Sequence, residues 1–307
     1  MPGPTLRDVH VDALMTNISV AYRNTNYIGE LIFPRVPVSK KSDVYFTYGK
    51  SAWFRDEVGV RAPGAEARRG DYDVTTASYV AITRAIAKLI PDEVRANADM
   101  PLRPDVEATE WVTDQLLRAQ ERRVAALTTG GSALWAYAAS PVGAQWSSDT
   151  SDPWGDIDAA IYGIVSNTGV MPNTMVMSWN VWRHLRQHPD FLDRVKYVRE
   201  AGRVETSDVS QWFNLPKVLV GTQLYDPAKE GQTASPTMIW GDQVWIGYVT
   251  PTPALMAPTA GYTFEWLGRE VSRYRLDTSH ADLIEAQHST AEVISASDAG
   301  AVIYDAV

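Results

Sequence analysis

The stretch Pro101–Thr128, PLRPDVEATEWVTDQLLRAQERRVAALT, decides how the rest of the chain is read. Pro104 sits where a first helical turn tolerates proline, and Asp105, Glu107 and Glu110 favour the positive end of a helix dipole. No further Gly or Pro occurs until Gly130-Gly131, which provides a stop. At 100° per residue Val106, Ala108, Val112, Leu116, Leu117, Ala119, Val124 and Leu127 fall on one half of the helix. Glu110, Asp114, Arg118, Glu121 and Arg122 fall on the other. A helix from Asp105 to Thr128 would be roughly 36 Å long, about twice the usual length. It reads as a spine, with β material before it and an α/β region after it.

Upstream, Tyr27–Val38 (YIGELIFPRVPV) carries two prolines that favour an extended edge segment. Lys40–Tyr48, KKSDVYFTY, and Tyr72–Ile90, YDVTTASYVAITRAIAKLI, both read as strands. In the second, Val74, Thr76, Ser78, Val80 and Ile82 lie on one side, with Tyr79 and Ala81 on the other. Between them lie the glycines, proline and charges of Ala52–Gly70, an exposed tip. The whole reads as a long hairpin with too few apolar residues at its end to make a core, so it needs another surface, most simply a neighbouring subunit. An ordinary surface loop is the plainer alternative. The first 30 or so residues are polar and irregular, with one short helical candidate at Leu6–Met15; a disordered tail is the alternative there.

Downstream, Asp156–Thr168 reads as a helix, Thr174–Ser178 as a buried strand, and Trp179–His188 as a helix that Ser178 caps. Val218–Gly221 and Thr237–Gly241 read as strands, and Val244–Val249 follows across Asp242-Gln243 as the partner in a hairpin. Tyr262–Trp266, Val271–Leu276, Ala291–Ile294 and Val302–Tyr304 are the closing strands.

Composition bounds the function. The 307 residues hold 45% apolar and 21% charged side chains, the balance of a globular protein. The chain has no cysteine, which excludes disulfides, thiolate metal sites and thiol nucleophiles. No signal peptide and no 18-residue apolar run are present, so a soluble cytoplasmic protein is expected. Eleven Trp and fourteen Tyr against six Phe suit interfaces as well as cores. The net charge of −9 is uneven, because Val36–Ile90 holds nine Lys/Arg against six Asp/Glu, which leaves −12 elsewhere. That balance speaks against a protein that grips phosphates, and a basic segment on an acidic body suggests like molecules docking head to tail.

The search for chemistry is negative. His184 and His188 have a spacing that can chelate a metal but no carboxylate completes the pattern, and a solvated helix face is the better reading. Thr128–Trp135, TTGGSALW, lacks the lysine of a phosphate loop, and neither Ser132 nor Ser178 lies in a nucleophile elbow. Asp92, Glu93 and Arg95 suit a structural ion pair better than a catalytic one. Nothing assembles a nucleophile, a base and an oxyanion site. No enzyme, metal or cofactor is expected.

The order of the pieces resembles the major capsid protein of tailed bacteriophages, with the Hong Kong 97-like capsid fold that encapsulin shells share. The resemblance rests on YIGELIFPRVPVSKKSDVYFTY from Tyr27, WFRDEVGVRAPGAEARRGDY from Trp53, PDEVRANAD from Pro91 with the helix after it, NTMVMSWNVWRHLRQHPDF from Asn173, and MIWGDQVWIGYVTPTPALMAPTAGYTFEW from Met238. It implies an α+β fold: an N-terminal arm (1–34), a hairpin arm or E-loop (35–90), a peripheral domain with the spine helix (91–151), an axial α/β domain (152–257), and return strands of the peripheral domain (258–307).

The implied function is a shell subunit that assembles with itself as hexamers and pentamers of an icosahedral head, in the host cytoplasm, around phage or gene-transfer-agent DNA. Separate scaffold, portal and cementing proteins are implied partners; DNA contact is expected to be weak and no membrane is involved. Inter-subunit contacts are expected from Trp53, Phe54, Arg55, Arg61, Arg68 and Arg69. Two family features are not matched: the Lys, Asn and Glu of covalent cross-linking, and the scaffolding segment of about a hundred residues that some relatives carry before the hairpin. The alternatives are an encapsulin-like compartment with protein cargo and a soluble α/β enzyme using His184 and His188.

Overall fold

The spine helix of the computed structural model runs from Pro104 to Thr129, 26 residues, with Pro104 in its first turn and Gly130 at its C-cap. The structure describes residues 27–97, 103–131, 134–141, 143–196, 203–229, 231–253 and 258–307. The expected helix Leu6–Met15 and Ser132 lie outside them. The apolar stripe of the spine is buried at Ala108, Val112, Leu116, Leu117 and Val124. Two assignments by periodicity differ: Ala119 is exposed, and Glu121, placed on the polar half, is buried. Glu121 tolerates burial because three N–H groups converge on its carboxylate.

Half of the stripe packs on a four-stranded sheet. In chain order its strands are β1 (Arg35–Pro37), β4 (Ile82–Pro91), β11 (Gly261–Leu276) and β12 (Ala281–Ile294), and they lie side by side as β1-β11-β12-β4. Ala108, Val112 and Leu116 of the spine meet Ile90 of β4, Val271 of β11, and Ile284 and Ala286 of β12. The two closing strands expected at Tyr262–Trp266 and Val271–Leu276 are one strand, broken only by register shifts between Glu265 and Glu270. Its partner reaches back from Ala291–Ile294 to Ala281, through Asp282, Glu285, Gln287 and His288. Those polar residues obscured the strand in the sequence.

The second layer is a five-stranded sheet built from β5 (Tyr137–Ala139), β6 (Thr174–Ser178), β7 (Lys217–Gly221), β10 (Val244–Gly247) and β13 (Gly300–Ile303), in the order β5-β13-β10-β6-β7. Alternate residues bury its two faces. Met175, Met177, Val244, Ile246, Ala301 and Ile303 face a core that includes residues of helices Pro153–Thr168, Trp179–Leu185, Pro189–Val195 and Thr206–Trp212. Val176, Trp245 and Val302 face Val124 and Ala125 of the spine across a seam that also holds Ile28, Ile32, Phe33, Trp135 and Trp240.

Four expectations are corrected here. The last strand does not join β11 and β12 in the four-stranded sheet; β13 lies between β5 and β10, where both its faces are buried. No hairpin forms across Asp242-Gln243. Thr237–Met238 (β9) pairs with Leu224–Tyr225 (β8), Gly241 turns the chain at φ 59°, and β10 enters the centre of the sheet. Burial of Ile239 and Trp240 in the seam enforces that separation. The helix after Ser178 ends at Leu185, because Pro189 starts another, with His188 as its N-cap. Finally, the run Tyr72–Ile90 divides at Ala81. Val74–Val80 (β3) pairs with Ser42–Tyr48 (β2), whereas β4 joins β12. The paired ribbon therefore occupies residues 42–80.

Leu116→Asp would put a carboxylate into the contact between spine and sheet, where an unpaired buried charge costs several kcal/mol. Against a total stability of about 5–15 kcal/mol, little soluble protein is expected. Soluble, monodisperse Leu116→Asp protein by size-exclusion chromatography would show that this face is not buried.

Candidate assembly surface

The ribbon β2–β3 has two unlike faces. Paired residues Asp43–Tyr79, Tyr45–Ala77 and Thr47–Thr75 form the inner one. Tyr45 and Tyr79 of this face lie against Phe264 of β11, at ring distances of 5.4 and 4.5 Å. The outer face carries Val44, Phe46, Tyr48, Val74 and Val80, between 38% and 64% exposed. Five large apolar side chains in one plane make a contiguous patch of the kind that marks a protein contact. The alternation of KKSDVYFTY announces two faces but does not say which one the body covers.

The residues expected to make contacts lie beyond this ribbon. Trp53 and Phe54 end a short helix, Lys50–Phe54, and are 55% and 64% exposed. Trp53 meets Tyr48 and Tyr72 at ring distances of 6.2 and 5.9 Å, so these three aromatics form one cluster. Lys50 ties the helix to the second layer through Asp298 at 3.0 Å. Arg55 pairs with Glu57 at 3.0 Å and Arg69 with Glu66 at 3.5 Å, both exposed. Arg61 donates to the Ala65 carbonyl, and Arg68 is exposed with no ion pair among the described residues. The tip is thus a mixture of paired and unpaired charges, not a uniformly basic end.

A second surface is open at Ala85, Ala87 and Leu89, although Ser272 and Ser289 on the same face are buried. The spine covers one face of the four-stranded sheet, through Ile86 and Ile90 of β4. The alternate residues Thr83, Ala85, Ala87 and Leu89 point away, in register with Ser289, Gln287, Glu285 and Leu283 of β12. Beyond these lie Glu270, Ser272 and Tyr274 of β11. Glu270 and Glu285 have no ion pair among the described residues and are partly exposed.

The groups suspected of chemistry are held apart or in pairs of their own. His184 lies beside Arg183, while His188 is buried at the next helix start, so the two do not converge. The solvated face read for both is therefore corrected for His188. Sequence reading missed that Ser151, His188 and Asp190 stand in the order of a catalytic triad: Ser151 Oγ is 3.1 Å from His188 Nε2, and Asp190 Oδ2 is 3.5 Å from Nδ1. The hydrogen bonds oppose that role. Asp190 N–H donates to Nδ1, which leaves the proton on Nε2, facing Ser151 and the Ser148 carbonyl. Ser151 already donates its own proton to that carbonyl at 2.8 Å. An imidazole that presents N–H to the serine cannot accept its proton. Among the described residues no group of three or more His, Asp or Glu is placed to hold a metal ion.

Asp92 and Arg95 belong to an ion-pair network that joins the start of the spine to the β11–β12 turn. Arg95 reaches Asp105 at 2.8 Å and Asp282 at 2.7 Å; Arg275 reaches Asp92 at 2.5 Å and Asp282 at 3.3 Å; Arg273 also pairs with Asp282. Burial alone would push Asp282 up, but the guanidinium groups around it outweigh that and hold its pKa at about 2.

Comparison with known proteins places this geometry. No family model matches the chain. The chain has the α+β fold of phage capsid proteins. A phage-related protein from Bordetella bronchiseptica RB50 superposes with a TM-score of 0.76 at 24% identity, over 97% of this chain and 98% of that one. The capsid of cyanophage P-SCSP1u gives 0.61 at 10% identity, over 98% and 92%, and the capsid of a native gene-transfer-agent particle gives 0.56 at 12%, over 99% and 95%. In sequence the chain is similar to the protein named major capsid protein of Burkholderia phage BcepMu, 24% identical over 95% of each chain. It is also similar to the protein of that name from Pseudomonas phage JBD67, 23% identical over 97% of each. The resemblance read from the sequence is to these proteins.

The network has a pH signature. A depressed aspartate pKa contributes stability that is complete above its unfolded value near 4 and is lost as pH falls towards 2. Denaturant titrations of wild type and Asp282→Asn should therefore converge by on the order of 2 kcal/mol between about pH 4 and pH 2. A constant difference across that window would mean that Asp282 is not held by its arginines.

Proposed function

We propose that this chain is the subunit of an icosahedral capsid, and that copies of it assemble as hexamers and pentamers around the DNA of a tailed phage or a gene-transfer agent. The observation that carries the reading is similarity over nearly the whole chain to two phage proteins named major capsid protein. The role is structural, not catalytic, and the shell forms in the host cytoplasm with whatever scaffold, portal and cementing proteins the particle uses. The fold supports the reading physically. A subunit whose layers are buried within itself, yet which carries an apolar ribbon face open to solvent, is built to be covered by another copy.

The open surfaces suggest how copies meet. The hairpin of one copy lies on the open face of the next copy's four-stranded sheet. Small residues such as Ala85 and Ala87 leave room for Phe46 and Tyr48, and Glu270 and Glu285 face the unpaired Arg61 and Arg68. Trp53, Phe54, Arg55 and Arg69 complete the contact. Such an interface is wet at its rim and sensitive to salt.

Electron microscopy of the expressed protein tests the reading. Closed shells are expected; shells loaded with protein would indicate a cargo compartment, and a small soluble oligomer would contradict a capsid. Arg68→Glu with Arg69→Glu should leave the subunit folded but reduce shell yield at low salt, and unchanged yield would remove the tip from the interface.

DNA contact should be weak. With −12 outside Val36–Ile90, the free subunit is expected to bind labelled duplex at about 150 mM salt no more tightly than a Kd of roughly 10⁻⁴–10⁻⁶ M, falling steeply with added salt. Nanomolar, sequence-dependent binding would point to a nucleic-acid reader instead.

A further inference from the structure

Residues 27–33 connect the first 26 residues to the rest of the chain, and they are held in an unusual way. Ile28, Ile32 and Phe33 are buried in the seam between the spine and the five-stranded sheet, beside Val124, Trp135, Trp240 and Trp245. Their only regular structure is the four-residue helix Gly29–Ile32, too short to persist alone. Its first amides are bound by one side chain: Ile28 N–H donates to Glu121 Oε1 at 3.1 Å and Gly29 N–H to Oε2 at 2.7 Å. The Trp240 indole N–H, from the five-stranded layer, donates to the same Oε1 at 2.8 Å. The approach is so close that a Cβ on residue 29 would lie 2.7 Å from Oε2, so any larger residue there would have to push the carboxylate aside.

We propose that Tyr27–Phe33 is a strap that opens and closes as one unit over the seam, with Glu121 as its latch. At the outer end Tyr27 Oη donates to Asp114 at 2.7 Å. At the inner end the carbonyls of Phe33 and Pro34 accept from Thr263 Oγ1 and Thr263 N–H, which leaves the hinge fixed when the strap lifts. Polar contacts hold the strap besides its apolar burial, among them the Glu121 latch and the pair of Glu30 with Arg269 of β11 at 3.1 Å, and burial of the Glu121 carboxylate weakens the first. Glu121 has no cation within ion-pair distance among the described residues, and burial is the largest influence on it, pushing its pKa up against the three N–H donors. Lifting the strap returns water to the carboxylate, which offsets part of the lost hydrogen bonding and burial. Because the strap and Trp240 share one oxygen, the seating of the strap and the position of the five-stranded layer are coupled. The device belongs to the single chain and does not rest on the capsid reading.

Site-resolved amide hydrogen exchange of the full chain tests it. In wild type, the amides of Ile28, Gly29 and Phe33 should exchange together, and faster than Ile284 and Ala286 of β12. Glu121→Gln sets an amide N–H₂ against at least one of the donors, Gly29 N–H in the less costly orientation, and should speed the strap amides by about tenfold or more, with β12 unchanged. Trp240→Phe keeps the carboxylate but removes its third donor; it should also speed Ile28 and Gly29, and add nothing in the Glu121→Gln background. The proposal is overturned if the strap amides exchange as slowly as β12 in wild type, or if the variants speed every amide equally.

Discussion

The structure depends on burying the spine helix along two different partners. Near its start, Ala108, Val112 and Leu116 meet the four-stranded sheet; near its end, Val124 and Ala125 meet the seam beneath the five-stranded sheet. A 26-residue helix is long enough to join both layers, and neither layer is closed without it. Between the two contacts sits Glu121, the one charge that the helix buries in the seam, and its three N–H donors come from the strap and from Trp240. A carboxylate buried in that position depends on these donors or on water in their place, so it links the strap to the packing of the layers.

The same economy explains what is left uncovered. Each layer spends its apolar residues on the interior, and the ribbon β2–β3 meets its own body through one small cluster, in which Tyr45 and Tyr79 pack with Phe264 and Ala291. A two-stranded ribbon is marginal in water, and one that exposes Val44, Phe46, Tyr48, Val74 and Val80 has an unfavourable surface until something covers it. If a neighbouring copy covers it, as proposed above, the stability of the ribbon becomes part of the stability of the shell.

Much of this was legible in the sequence, and the failures have physical causes. Helical periodicity located the spine to within a residue at either end and its buried stripe, because local spacing determines both. It misplaced Glu121 because a charge reads as polar, whereas its donors lie 92, 93 and 119 residues away. Strand β12 was half hidden because Asp282 and His288 are polar residues whose partners, Arg273 and Glu265, lie on the neighbouring strand β11. The place of β13 rests on pairing with Tyr137–Ala139 and Val244–Gly247, which no local pattern encodes. In the candidate site the exposure of Trp53 and Phe54 was readable from the charged tip around them. The outer ribbon face was not, since distant residues such as Phe264 and Ala291 decide which side of the alternation is covered.

Completion of the ribbon by another copy is tested most directly by amide exchange across residues 42–48 and 74–80, compared between free subunits and assembled particles. Completion predicts that these amides, exposed along the outer strand edges of the free chain, become strongly protected on assembly while those of β6 and β10 do not change. Equal exchange of the ribbon in both states would contradict it.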